Sequence, residues 1–132
     1  MIVDSSAIAA IVFGAPERSA FLAALVGDDH PRMSAASFLE VAIVVDHSRE
    51  FPNREHFDQL LSELAIRIEP VTEAHARLAR EAYQRYGRGS GSLARLNFGD
   101  CFTYALAKVT GEPLLFKGND FRHTDILPAV SS

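Results

Sequence analysis

Four carboxylates in this chain stand where a carboxylate is costly to keep. Asp4 ends the run MIVD, Glu40 lies within SFLEVAI, Asp100 within NFGDCFTYALA, and Asp120 closes LLFKGND. Carboxylates rarely sit among apolar neighbours unless they are paired. Four gathered together without a partnering lysine would repel one another and raise their pKa values. A divalent cation removes that repulsion by supplying the missing positive charge. All the candidate donors are hard oxygens, which favours Mg²⁺ or Mn²⁺ over zinc. Such an ion can hold phosphate oxygens, polarise phosphorus and bind an activated water. The residue types therefore point to chemistry at a phosphate.

Each residue also has a plainer use. Asp4 could be a helix N-cap, although Ser5 or Ser6 could cap instead. Asp100 could be a first-turn aspartate favoured by the helix dipole. Gly99 before it suggests a close approach. Glu40 alone reads as a solvated helix residue, and Asn119-Asp120 as turn chemistry. Asp125 stands in a terminal loop. Ser6 could orient a carboxylate or water, or cap the helix. His123 lies near Asp120 and reads as a substrate contact or a surface residue.

Other chemistries find no support. There is no G-x-S-x-G elbow, glycine-rich phosphate loop or dinucleotide fingerprint. The single cysteine, Cys101, excludes an internal disulfide framework and a multi-cysteine zinc site, and reads as a small buried thiol. A phosphatase with Asp4 as nucleophile would want a second aspartate two residues on, where Ser6 stands. The five histidines show no metal-ligand spacing.

The elements that must position these residues can be read along the chain. Met1 to Val3 is a short strand. A helix follows through Val12, and a second runs from near Pro16 to Val26. A brief strand at 32–34 leads into a helix to about Arg49, and Pro52 ends that element. A helix over 54–64, a strand over 65–69 and a Thr72-capped helix to Tyr86 come next. GRGSGS (87–92) reads as a flexible link. A helix from Asn97 or Phe98 to Val109 precedes a strand at 114–116. Residues 126–130 form a last short strand, limited to an edge by Pro128. Strands alternating with longer helices predict an α/β fold with a mostly parallel sheet and helices on both faces. Ligands in such sheets bind beyond the carboxyl ends of the strands. Asp4 and Asp120 fall there.

The 132 residues suggest one domain, 1–132, able to close its own core. No stretch resembles a signal peptide or a membrane span, so a soluble cytoplasmic protein is expected. The net charge of -4 argues against binding nucleic acid by bulk charge. Yet Arg77, Arg80, Arg85, Arg88 and Arg95 cluster, opposed only by Glu81. The spacing puts Arg77, Arg80 and Arg88 roughly along one helical side. The stretch reads as a guide for a phosphate backbone, a solvated face or a protein-binding surface. Broad apolar surfaces on the helices over 17–26 and 36–45 suggest a dimer interface.

Taken together, MIVDSSAI, SAASFLEVAIV, NFGDCFTYALA and LLFKGNDF resemble the PIN-domain ribonucleases, more narrowly the VapC-type toxins of toxin–antitoxin pairs. The matches fall in the family's order and span nearly the whole chain. The resemblance implies a three-layer α/β/α sandwich with a mostly parallel sheet of about four to five short strands. It implies a Mg²⁺- or Mn²⁺-dependent endoribonuclease leaving a 5′-phosphate and a 3′-hydroxyl. The acidic quartet would be Asp4, Glu40, Asp100 and Asp120, with Ser6 beside it and Asp125 as a further acidic position. RNA as substrate, a cognate antitoxin and a homodimer are the implied partners, with Arg77, Arg80, Arg88 and Arg95 as contacts to RNA or antitoxin. A PIN-domain nuclease of RNA processing and a non-catalytic protein-binding module are the competing readings.

Overall fold

The computed structural model describes residues 1–49 and 54–130. The expected break at Pro52 lies outside them. The elements run β1 (Ile2–Val3), α1 (Ser5–Val12), α2 (Arg18–Val26), β2 (Arg32–Ser34), α3 (Ala35–His47), α4 (Arg54–Glu63), β3 (Arg67–Glu69), α5 (Glu73–Tyr86), α6 (Phe98–Thr110) and β4 (Leu114–Leu115), followed by a 3₁₀ helix (Asp120–His123).

The four strands form one parallel sheet in the order β3-β2-β1-β4. Parallel neighbours need long crossovers, which the helices supply. Ile2 pairs with both Arg32 and Leu114, which makes β1 a central strand. Successive strand residues point to opposite faces. Ile2 and Leu114 accordingly enter a core with α5 and α6. Val3 and Leu115 enter a second core with residues of α1, α2, α3 and α4. Two cores on two faces make the three-layer α/β/α sandwich.

The last strand shrinks to a single parallel bridge between Leu114 and Pro128. Leu114 N donates to Leu127 O at 2.9 Å, and Ala129 N donates to Leu114 O at 2.8 Å. Both bonds come from the neighbours of Pro128, whose own nitrogen turns away from β4, so its missing N–H removes no bond here and suits the outer edge.

The stretch over 87–96 also differs from expectation. Arg88 N donates to Leu96 O at 3.0 Å and Leu96 N to Tyr86 O at 2.9 Å, closing the loop at its base. Within it Ser90 Oγ donates to Gly87 O, and Ser90 and Ser92 hydroxyls accept from Ser92 N and Ala94 N. Ala94 and Leu96 are buried in the core. The serines that read as linker composition serve as local backbone partners. Arg88 therefore belongs to this loop and not to α5, which ends at Tyr86, so it shares no helical side with Arg77 and Arg80.

Helix α3 buries Ser37, Val41 and Val45 while Leu39, Ile43 and Val44 remain exposed. Among the described residues no helix is long and apolar enough to cross a membrane.

Candidate active site

The carboxyl ends of the central strands deliver the candidate acids to one edge of the sheet. Asp4 follows β1 directly, and its N–H donates to Leu115 O at 2.9 Å, which locks it against β4. It is the N-cap of α1: extended backbone at φ -83°, ψ 156°, with Oδ2 accepting from Ser6 N at 3.1 Å. The cap role is thus real, and neither serine takes it. It does not use up the residue, because Oδ1 faces the other way and accepts from Thr103 Oγ1 at 2.7 Å. Asp4 is only 3% exposed.

Thr103 is a residue that sequence reasoning missed. It is wholly buried, and its Oγ1 lies 2.7 Å from Ser37 Oγ. Since Thr103 gives its proton to Asp4, Ser37 donates to Thr103. A relay from α3 through α6 thereby fixes the plane of the Asp4 carboxylate. The available signal was spacing: Thr103 is three residues after Asp100, on the same helix face. Thr103→Val keeps the shape and removes the hydroxyl, so two buried oxygens lose a partner. The expected cost is about 1–3 kcal/mol, read by denaturant unfolding at pH 7. An unchanged midpoint and slope would contradict the relay.

Asp100 lies in the first turn of α6, in a capping box with Asn97. Asp100 N donates to Asn97 Oδ1 at 2.9 Å, and Asn97 N donates to Asp100 Oδ2 at 3.0 Å. Burial pushes the Asp100 carboxyl up to about 6, opposed by the Asn97 N–H and reinforced by the charges of Asp4, Asp120 and Glu40. The four acids predicted from sequence therefore act on one another here. Among the described residues none of them forms an ion pair with a lysine or arginine.

That shift has a sign. The folded chain holds the Asp100 proton more tightly than an unfolded one, whose carboxyl titrates near 3.8. The charged form is thus a penalty on folding, full above about pH 6 and gone as the pH falls toward 4. Asp100→Asn removes the charge and can keep the cap through its amide oxygen. In EDTA it is expected to melt higher than the parent at pH 7, with the gap closing between pH 6 and 4. Thermal unfolding at each pH checks this; a variant that melts lower at pH 7 would contradict it.

Glu40, on the second turn of α3, is exposed and reaches across to α6. Its Oε1 accepts from Ser5 Oγ at 2.5 Å. A Cβ placed on Gly99 would lie 2.3 Å from Glu40 Oε2. The glycine before Asp100 is therefore the space that Glu40 occupies. Ser6 acts on the opposite strand exit, where its Oγ accepts from Lys117 N at 3.0 Å and fastens the loop that carries Asp120. Asp120 begins the 3₁₀ helix, exposed, and faces a groove shared with Arg88 and Arg95.

Asp125 is held elsewhere, by Tyr104 Oη at 2.7 Å and Lys108 Nζ at 2.6 Å. Those two donors lower its pKa against the effect of its partial burial. Burial and the same contact push the Tyr104 hydroxyl up. His123 is exposed on the 3₁₀ helix. Cys101 is buried, its thiol raised to about 11 by burial and by Asp100.

Residues 1–127 match the PIN domain family. The chain belongs to that family. Within it, the chain is closely related to VapC-type ribonuclease toxins. It is 52% identical over 130 residues to Ribonuclease VapC28 of Mycobacterium tuberculosis, covering 98% of each. It is 49% identical over 132 residues to Ribonuclease VapC42 of the same species, covering 99% of this chain and 100% of the relative. The fold matches the crystal structure of Mycobacterium tuberculosis VapC20, described as a sarcin-ricin loop cleaving toxin. The TM-score is 0.75 at 15% identity, over 96% of this chain and 95% of that one.

Proposed function

We propose that this chain is a divalent-metal-dependent endoribonuclease, the toxin of a toxin–antitoxin pair. The observation that carries the reading is the gathering of buried Asp4 and half-buried Asp100 with Glu40 and Asp120 at the sheet edge where such folds bind ligands, an arrangement that also pushes the Asp100 carboxyl up. A hard-oxygen donor set without a paired cation suits Mg²⁺ or Mn²⁺.

Asp4 and Asp100 are the principal ligands in this reading, with Glu40 and Asp120 completing the set. Bound there, the ion supplies positive charge to phosphate oxygens and lowers the pKa of the attacking water. Among the described residues no three His, Cys, Asp or Glu side chains already stand as an ion-holding group. Glu40 and Asp120, both exposed, would have to turn inward to join an ion beside Asp4, which the Ser6 N–H and Thr103 hold in place. Thr103 and Ser6 are positioning residues: one sets the Asp4 plane, the other the Asp120 loop.

A cognate antitoxin and a second copy of the chain are the proposed protein partners. The exposed Leu39, Ile43 and Val44 of α3 suit the homodimer. Inducible expression in a bacterial host, with mapping of new RNA 5′ ends across the cell, tests the function. Discrete new 5′-phosphate ends that the Asp4→Asn chain does not make would support it. Identical end maps for the two chains would sink it.

A further inference from the structure

We infer that the 87–96 loop is a phosphate-binding subsite for single-stranded RNA, formed by Arg88 and Arg95 beside Asp120. The inference rests on the nuclease reading and says how the strand reaches the acids. A groove of about 620 Å³ is lined by Arg88, Arg95, Leu93 and Asp120, with Gly89 and Gly91 on its rim. One cavity thus joins two guanidinium groups to a candidate metal ligand. A polyanion approaching four carboxylates needs compensating charge on the same path, and arginine matches phosphate oxygens with paired donors.

The structure separates these two arginines from the others in the cluster. Arg77 is committed to Glu73 at 2.8 Å, and Arg85 lies over the Tyr86 ring at 4.9 Å. Arg80 lines an apolar hollow with Tyr83 and Phe98, and a second one beside Glu73 and Glu81. Arg88 and Arg95 have no ion-pair partner among the described residues.

The loop is built to present them. Its base is closed by the Arg88 and Leu96 backbone pairs, and Ala94 and Leu96 anchor it in the core. Arg95, between those anchors, has φ +52°, a left-handed conformation that non-glycine residues seldom adopt. A Cβ at Gly89 or Gly91 would meet nothing within 4 Å, so the rim is open to an approaching strand. Leu93, 70% exposed in the same groove, offers apolar surface to a base or sugar.

The test is equilibrium binding of a labelled single-stranded RNA oligonucleotide of mixed sequence, by fluorescence anisotropy in EDTA so that the strand stays intact. Arg88→Ala with Arg95→Ala should weaken binding about tenfold or more. It should also flatten the dependence of log K on log salt by about 1.4, near 0.7 for each lost phosphate contact. Arg77→Ala with Arg80→Ala should stay within about twofold of the parent. Equal melting temperatures would show that the exposed substitutions leave the fold intact. Equal losses in both pairs, no loss in the first, or a parent that binds no RNA would each overturn the subsite. So would a first pair that keeps RNA affinity but loses the antitoxin, which would make the loop a protein-binding surface. Binding in EDTA does not depend on cleavage. A selective loss without any cleavage in Mg²⁺ would defeat the nuclease reading alone, and cleavage with unchanged binding would defeat the subsite alone.

Discussion

Asp4→Asn is expected to slow RNA cleavage at least about a hundredfold, ~3 kcal/mol in the barrier, with little change in stability. The two effects separate because Asp4 has two jobs. As a cap it needs one oxygen for the Ser6 N–H, which asparagine provides as well as aspartate does. On the other side, the Thr103 hydroxyl can reverse. It would donate to Ser37 and accept from the new amide, since either oxygen of that 2.7 Å pair can be the donor. What asparagine lacks is the negative charge on which the proposed metal site depends. Initial cleavage rates over a Mg²⁺ titration, beside thermal melts of both proteins, check the prediction. A variant that cleaves within a few-fold of the parent would remove Asp4 from the site.

Gly99→Ala is expected to lose activity by roughly ten- to a hundredfold while folding as well as the parent or better. Alanine is the better helix former by about 0.5–1 kcal/mol, and Gly99 lies in the first turn of α6. The new Cβ, however, would fall 2.3 Å from Glu40 Oε2 and 3.0 Å from Glu40 Cδ. A long side chain yields more readily than backbone, so Glu40 swings away and gives up the Ser5 hydroxyl. Displacing a catalytic group by an ångström costs up to about a hundredfold. Cleavage rate and melting temperature should therefore move in different directions. Gly111 makes the contrast: it caps α6 in the left-handed region at φ 69°. Gly111→Ala should lower the melting temperature and leave the rate unchanged. If Gly99→Ala kept full activity, Glu40 would have no place in the mechanism.

The order of elements was readable because the strands are short apolar runs cut off by turns, and the helices carry their own caps. Thr72 and Asn97 mark helix starts in the sequence and in the structure alike. The four acids were readable for a related reason. Asp4 and Asp120 mark strand exits, and Glu40 and Asp100 interrupt apolar helix faces. Thr103 went unread although its spacing from Asp100 put it on the same helix face, because a buried threonine in an apolar helix looks like a β-branched filler until its hydrogen bond is seen. Arg88 was misplaced for want of a tertiary fact. The glycine and serine composition of 87–92 hides the burial of Ala94 and Leu96, which turns a link into a fixed loop. The 126–130 segment was correctly sent to an edge, where the missing N–H of Pro128 costs no ladder bond, but its pairing is one bridge and not a strand.

In the proposed mechanism, Asp4, Glu40, Asp100 and Asp120 together hold a divalent ion that the chain needs to cut RNA. The most direct measurement is cleavage of total cellular RNA by the purified chain across a Mg²⁺ and Mn²⁺ titration, with EDTA and the Asp100→Asn chain in parallel. 5′-phosphate fragments should appear with added metal, vanish in EDTA, and be absent from Asp100→Asn at every concentration that saturates the parent. Cleavage that persists in EDTA, or at the parent's rate in Asp100→Asn, would contradict that mechanism.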